Sequence, residues 1–177
     1  MAKVSTQGIA LDDAVKYVER CFLDHKDRRV HSYEAENRST VTRAVAGAGI
    51  LAMAHAGKHG SDAAVASGEW ILKHDFGNYD FEKPLHGLDW LGNRYHYGAL
   101  LCTAGMYQLG GKFWDRFFPT LAEALLENQD AVGSWSTKGK DKPYGKCYIT
   151  ALSILSLSVS DQLLPIFKDS SSVRSLT

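Results

Sequence analysis

The sequence has no surplus charge to spend on a polyanion. Its 177 residues carry 20 Lys+Arg and 20 Asp+Glu, so the formal net charge at pH 7 is zero. That balance leaves no basic field for nucleic acid or for an anionic membrane surface. Cysteine is scarce: Cys21, Cys102 and Cys147 stand far apart and form no C-x-x-C pair. An odd count at such spacing supports neither a disulfide framework nor a zinc ribbon, and reduced, buried thiols are expected. No run reaches the roughly 18 uninterrupted apolar residues of a membrane span. The richest stretch, 41–56, contains Arg43. Residues 1–7 are polar and lack the apolar core of a secretory leader, so a cytoplasmic location is the default expectation. G-x-S-x-G, the phosphate-binding G-x-x-x-x-G-K-[ST] and the dinucleotide fingerprint are missing, which removes motif support from hydrolase, nucleotide and dinucleotide readings. No cofactor is expected. Period-two alternation is missing too, and the chain reads as all-α.

What is present is helical. Hydrophobic residues make up 45% and charged residues 23%, a globular balance that excludes wholesale disorder. Six helices are predicted, at 11–25, 39–56, 62–74, 94–109, 113–128 and 144–159, with a long loop at 76–93 and a loose tail at 169–177. Ser39 or Thr40 is the expected N-cap of the second, and Ser61 or Asp62 of the third. Pro119 is expected to split the fifth into a short turn and a longer helix. The first, third and fifth helices are amphipathic; the first sets Leu11, Val15, Val18 and Phe22 against Asp12, Lys16, Glu19 and Arg20. The second, fourth and sixth are apolar nearly all round and rich in small residues, as in Val45-Ala46-Gly47-Ala48-Gly49-Ile50. Such helices are buried on several sides. Glycine within a helix costs about 0.5–1 kcal/mol relative to alanine, so Gly47, Gly49, Gly98 and Gly105 imply close backbone approach between neighbours. Registered on Thr42, Gly98 and Thr150, the apolar helices recur every 50-odd residues. The expectation is one domain over 1–168, built from helix pairs at 11–56, 61–109 and 113–159, with an outer solvated layer around an inner buried one.

Beyond the fifth helix the chain reads Gln129-Asp130-Ala131-Val132-Gly133-Ser134-Trp135, a Q-x-x-x-G-x-W segment. Gln129 stands where an amide ties down loop backbone, Gly133 where a turn needs φ > 0, and Trp135 where a seam between repeats needs a plug. The segment resembles the QW motif of the terpene cyclase and protein prenyltransferase families. Tyr95-His96-Tyr97-Gly98 and the Q-x-G-G-x-x-W-like stretch from Gln108 to Trp114 extend the likeness, as do Tyr148 to Leu152 and Leu164 to Phe167. The chain is similar in particular to bacterial prenyltransferase and squalene oxidase repeat proteins. The resemblance spans about 11–167 and is specific from Tyr95 onward; the first repeat has no Q-x-x-x-G-x-W. It implies an α/α toroid with inner helices around a central cavity. A full ring has about six helix pairs, so three pairs imply a partial toroid, a fragment of a longer protein, or a ring completed by a second copy.

The family's chemistry is not visible here. Cyclases of this kind protonate their substrate with a D-x-D-D element, and the chain has none. Asp12-Asp13 lies on a solvated helix, where acids cap and solvate. The zinc-binding D-x-C spacing of the prenyltransferases is absent around Cys102 and Cys147, and His55 and His59 are interrupted by Gly57, so no metal site is expected. What remains is the mouth where the inner helices begin. Tyr33, Arg38, Trp90, Arg94, Tyr95 and Tyr144 are the candidate ligand-binding residues, with Lys142 and Cys147 nearby in sequence. Asp89, His96 and Tyr144 are the candidate acid–base group. Two functions follow. One is a non-catalytic module that holds an isoprenoid-like or other apolar ligand, or a partner protein, on its concave face. The other is the C-terminal part of a cyclase- or prenyltransferase-like enzyme whose acidic or metal motif lies outside this chain. Self-association is also expected, along repeat edges left open at Val41, Val45 and Ile50 on one side and Ile154, Leu155 and Leu157 on the other.

Overall fold

The computed structural model describes residues 6–25, 28–35, 41–80 and 94–161. They are mostly helical: α1 (Thr6–Arg20), α2 (Arg43–His55), α3 (Asp62–Lys73), α4 (Tyr95–Leu109), α5 (Gly111–Glu127) and α6 (Gly145–Leu157). Two strands, β1 (Phe22–His25) and β2 (Arg28–His31), pair antiparallel after α1. Single 3-10 turns occupy Lys142–Tyr144 and Val159–Asp161.

The hairpin corrects the first predicted helix, which ends at Arg20 rather than at 25. Leu23 and Val30 face each other across it, both buried, while Asp24 and Arg29 pair at 2.8 Å on the exposed side. Strands of four residues are too short to register in a periodicity window of 11 or more. Helix α2 also starts later than predicted: its N-cap is Thr42, whose hydroxyl accepts from the Val45 N–H at 3.2 Å. Ser39 and Thr40 lie outside the described residues. Ser61 caps α3 as predicted, accepting from the Ala64 N–H at 3.3 Å. Pro119 does not split α5. The buried stripe of that helix is Phe113, Phe117, Leu121, Ala124 and Leu125, and Pro119 sits on the solvent side. The carbonyl it leaves without a helical donor, that of Asp115, is on an exposed residue.

The most extensive helix contact joins α2 and α4. A Cβ built on Gly47 would lie 2.6 Å from the backbone of Leu101 and Cys102, and one on Gly105 2.7 Å from the Gly47 carbonyl. The backbones therefore touch, which offsets the cost of glycine in both helices. Contacts advance in step, Ala44 beside Gly98 and Ile50 beside Gly105, so the two helices run parallel. Helix α6 flanks α4 on its other side in the same sense. Tyr148 meets Arg94 near the two starts, while Leu155 and Val159 cluster with Ala104 near the two ends. Helices α3 and α5 pack against α4 from the other layer, and the core between the layers holds Phe76, Tyr95, Met106, Phe117, Leu121 and Trp135.

Burial within the row is uneven. Nine of the thirteen residues of α2 and ten of the fifteen of α4 are buried, but only four of the thirteen of α6. The expectation that α6 is apolar and buried all round is corrected: Cys147, Ala151 and Ile154 are exposed, because no described element packs on its far flank. Cys147 is thus an exposed thiol, whereas Cys21 and Cys102 are buried as expected. At the other end of the row Val41 and Ile50 are fully buried, contrary to the expected open edge. Only Val45 remains partly exposed there.

Candidate functional site

Because α2, α4 and α6 are parallel, their N-terminal ends share one side of the molecule. At the start of α4 the N-cap residue, Arg94, makes no side-chain capping bond. The cap comes from a distant carboxylate instead. Asp141, just ahead of α6, accepts from the His96 backbone N–H at 2.9 Å and from Arg94 Nε at 2.7 Å. Asp141 is fully buried. Burial alone would push its carboxyl up, but the donors of His96 and Arg94 outweigh it and hold the carboxyl below the ordinary aspartate range. The His96 ring is buried too. Its Nδ1 lies 3.4 Å from Asp141 Oδ2 without hydrogen-bond alignment, and its Nε2 lies 3.1 Å from the Tyr79 hydroxyl. That hydroxyl spends its one proton on the Ser136 carbonyl at 2.7 Å, so Nε2 is the donor to it. The Arg94 guanidinium donates to the Tyr148 hydroxyl at 2.7 Å and lies 4.1 Å from the centre of the Tyr144 ring.

The structure thus brings Arg94 and Tyr144 together, with Tyr97 and Tyr148 beside them. It places the other sequence candidates elsewhere. Tyr95 is wholly inside the core, its hydroxyl given to the Phe76 carbonyl. Tyr33 is exposed near the start of α2, 3.5 Å from Thr42 Oγ1. Asp89, Trp90 and Arg38 lie outside the described residues. His96 is sealed among Tyr79, Tyr95 and Asp141, whereas Tyr144 is 55% exposed. An arrangement with its imidazole and carboxylate out of reach of solvent fixes the start of α4 to the segment ahead of α6. Asp141 and Tyr79 were missed in sequence, because 45 residues separate Asp141 from the N–H it caps.

The Q-x-x-x-G-x-W segment does similar work. Gly133 has φ +83°, and Gln129 Nε2 donates to its carbonyl at 3.0 Å, closing the turn. Trp135 is buried, with its indole N–H on the Leu125 carbonyl at 2.7 Å and its backbone N–H on Thr150 Oγ1 at 3.2 Å. It joins the end of α5 to α6.

A polar cleft of about 410 Å³ lies against α3, between Arg29, Glu69, Trp70 and His74, and two apolar clefts lie along α2. A cleft of about 240 Å³ runs between Tyr17 and Val18 of α1 and Val45, Ala48 and Ala52 of α2, closed at one end by His31 and Tyr33. A second, of about 220 Å³, continues it past Leu11, Val15 and Met53. The two lie side by side in an apolar trough, with Val18 and Ala52 in both linings. Small side chains on α2 create it, since α1 rests only lightly on that helix. His31 was also missed in sequence: it stands on a four-residue strand with no motif around it. Burial lowers its pKa to about 4, so the ring is neutral at pH 7. Among the described residues no three His, Cys, Asp or Glu side chains gather to hold a metal ion. No described helix is long and apolar enough to cross a membrane.

Compared with known proteins, the chain matches no protein-family model, no curated protein and no solved structure.

Proposed function

We propose that the chain is a repeat module of the terpene cyclase and prenyltransferase type, three helix pairs of an α/α toroid, that binds an apolar ligand without transforming it. The parallel row of α2, α4 and α6 supports the toroid reading, since small residues hold two of its members in backbone contact. The trough between α1 and α2 carries the functional reading. Its walls are the partly exposed small residues of α2, and its two clefts, of about 240 and 220 Å³, are lined mostly by apolar side chains, as ligand sites are. The absence of a D-x-D-D element from the sequence and the burial of His96 and Asp141 favour binding over turnover.

Titration with the neutral apolar fluorophore N-phenyl-1-naphthylamine tests this. Saturable binding is expected, weakened at least tenfold by Ala52→Phe, because Ala52 borders both clefts. Absence of saturable binding, or equal binding to the variant, refutes the reading.

A further inference from the structure

We propose that the polar cleft against α3 is a second binding site, separate from the trough, for a small neutral molecule carrying a primary or cyclic amide. Trp70 Nε1–H donates to the amide oxygen, and His74 Nε2 accepts from the amide N–H.

Residues 70 and 74 stand one helical turn apart at the end of α3, and their rings stack with centres 4.0 Å apart and planes 26° apart. The proton on His74 can be placed from its neighbour. Nδ1 lies 2.7 Å from the Trp70 carbonyl, which only accepts, so Nδ1 carries the hydrogen. Burial, the largest influence on the ring, pushes its pKa below the ordinary histidine value, so it is neutral at pH 7 and Nε2 presents a lone pair.

Neither Nε2 of His74 nor Nε1 of Trp70 has a hydrogen-bond partner among the described residues. Neither belongs to the unpartnered side-chain nitrogens that are sealed from solvent, so both keep accessible surface. Of the described clefts, the one against α3 is the one that these two rings line. Trp70 is only 7% exposed, and a tryptophan buried to that degree normally gives its N–H to a partner. A donor and an acceptor on stacked rings, both open to one cleft of about 410 Å³, suit a molecule that accepts and donates side by side.

The rest of the lining favours a neutral molecule. Arg29 is engaged by Asp24 and Asp62, and Glu69 by Lys112 at 2.6 Å. A carboxylate would set its own lone pairs against Nε2, and an ammonium would offer the indole N–H no acceptor. An amide satisfies both nitrogens at once.

The experiment titrates benzamide, N,N-dimethylbenzamide and benzoate into the full chain at pH 7, read through the indole N–H resonances in nitrogen-correlated NMR. The Trp70 resonance is assigned in wild type by its cross-relaxation with the stacked His74 ring. Benzamide should shift it saturably. N,N-Dimethylbenzamide, which keeps the oxygen but has no N–H, should bind about tenfold more weakly, and benzoate should also bind more weakly than benzamide. In His74→Phe, with folding checked by thermal melts, the preference for benzamide over its dimethyl form should fall below twofold. No saturable shift of the Trp70 resonance, equal affinity of wild type for the two amides, tighter binding of benzoate than of benzamide, or a preference unchanged in His74→Phe would each overturn the proposal. None of these outcomes bears on the trough, whose lining contains neither Trp70 nor His74.

Discussion

Asp141 is the residue on which most of the candidate site depends. Its carboxylate receives a helix N–H and a guanidinium from the start of α4, in a buried place. Asp141→Asn keeps the shape but removes the charge, and a loss of about 2–4 kcal/mol is expected in urea melts at pH 7. The pH dependence has a definite sign. The folded carboxyl is held below its unfolded value, so its contribution is complete above the unfolded value of about 3.9 and is lost as pH falls through the folded one. The stability gap between wild type and Asp141→Asn should therefore narrow below about pH 4. A gap unchanged from pH 7 to pH 3 would show that the ion pair contributes nothing. Arg94 and Tyr144 were legible in sequence because they stand at predicted helix starts. Asp141 was not, because what makes it special is burial among residues 45 and 47 positions away. His31 escaped for the same reason, its neighbours being on α2 and α3.

Among the elements, α2 and α4 repay the sequence reading most directly. Their glycines implied close approach, and the approach is between backbones, where no side-chain rotation can make room. Gly47→Ala would place a methyl 2.6 Å from the Leu101 carbonyl. The expected cost is about 1–3 kcal/mol, measured by denaturant melts, against a gain of up to about 1 kcal/mol from helix propensity had the site been open. A stabilised variant would mean that the helices separate freely. Trp135 tests the next junction. Its side chain is buried and hydrogen-bonded to the end of α5, so Trp135→Ala should cost about 3–5 kcal/mol. A loss below about 0.5 kcal/mol would place it among surface residues. Long periodic helices were readable because every turn repeats the same signal. The β1–β2 hairpin offers four residues per strand and so no repeat to read. The continuity of α5 through Pro119 depends on which side of the helix faces solvent, which one proline in sequence does not show.

At the scale of the whole molecule the two ends of the helix row differ. The α2 end is closed over Val41 and Ile50, with α1 and the trough beyond it. The α6 end presents Tyr144, Cys147, Ala151 and Ile154, spaced so that they fall on one helical face, and no acidic or basic side chain interrupts those four positions. Its opposite flank is where α4 packs in parallel. An apolar face of this kind at the end of a helix row is completed most simply by a second copy, since identical faces meet across a two-fold axis. Light scattering at micromolar concentration should give a mass above the 19.5 kDa of one chain, and Ile154→Glu should return it to that value by setting like charges in an apolar contact. A wild-type mass of 19.5 kDa would mean that the α6 flank is covered from within the chain, and the two ends of the row would then be closed alike.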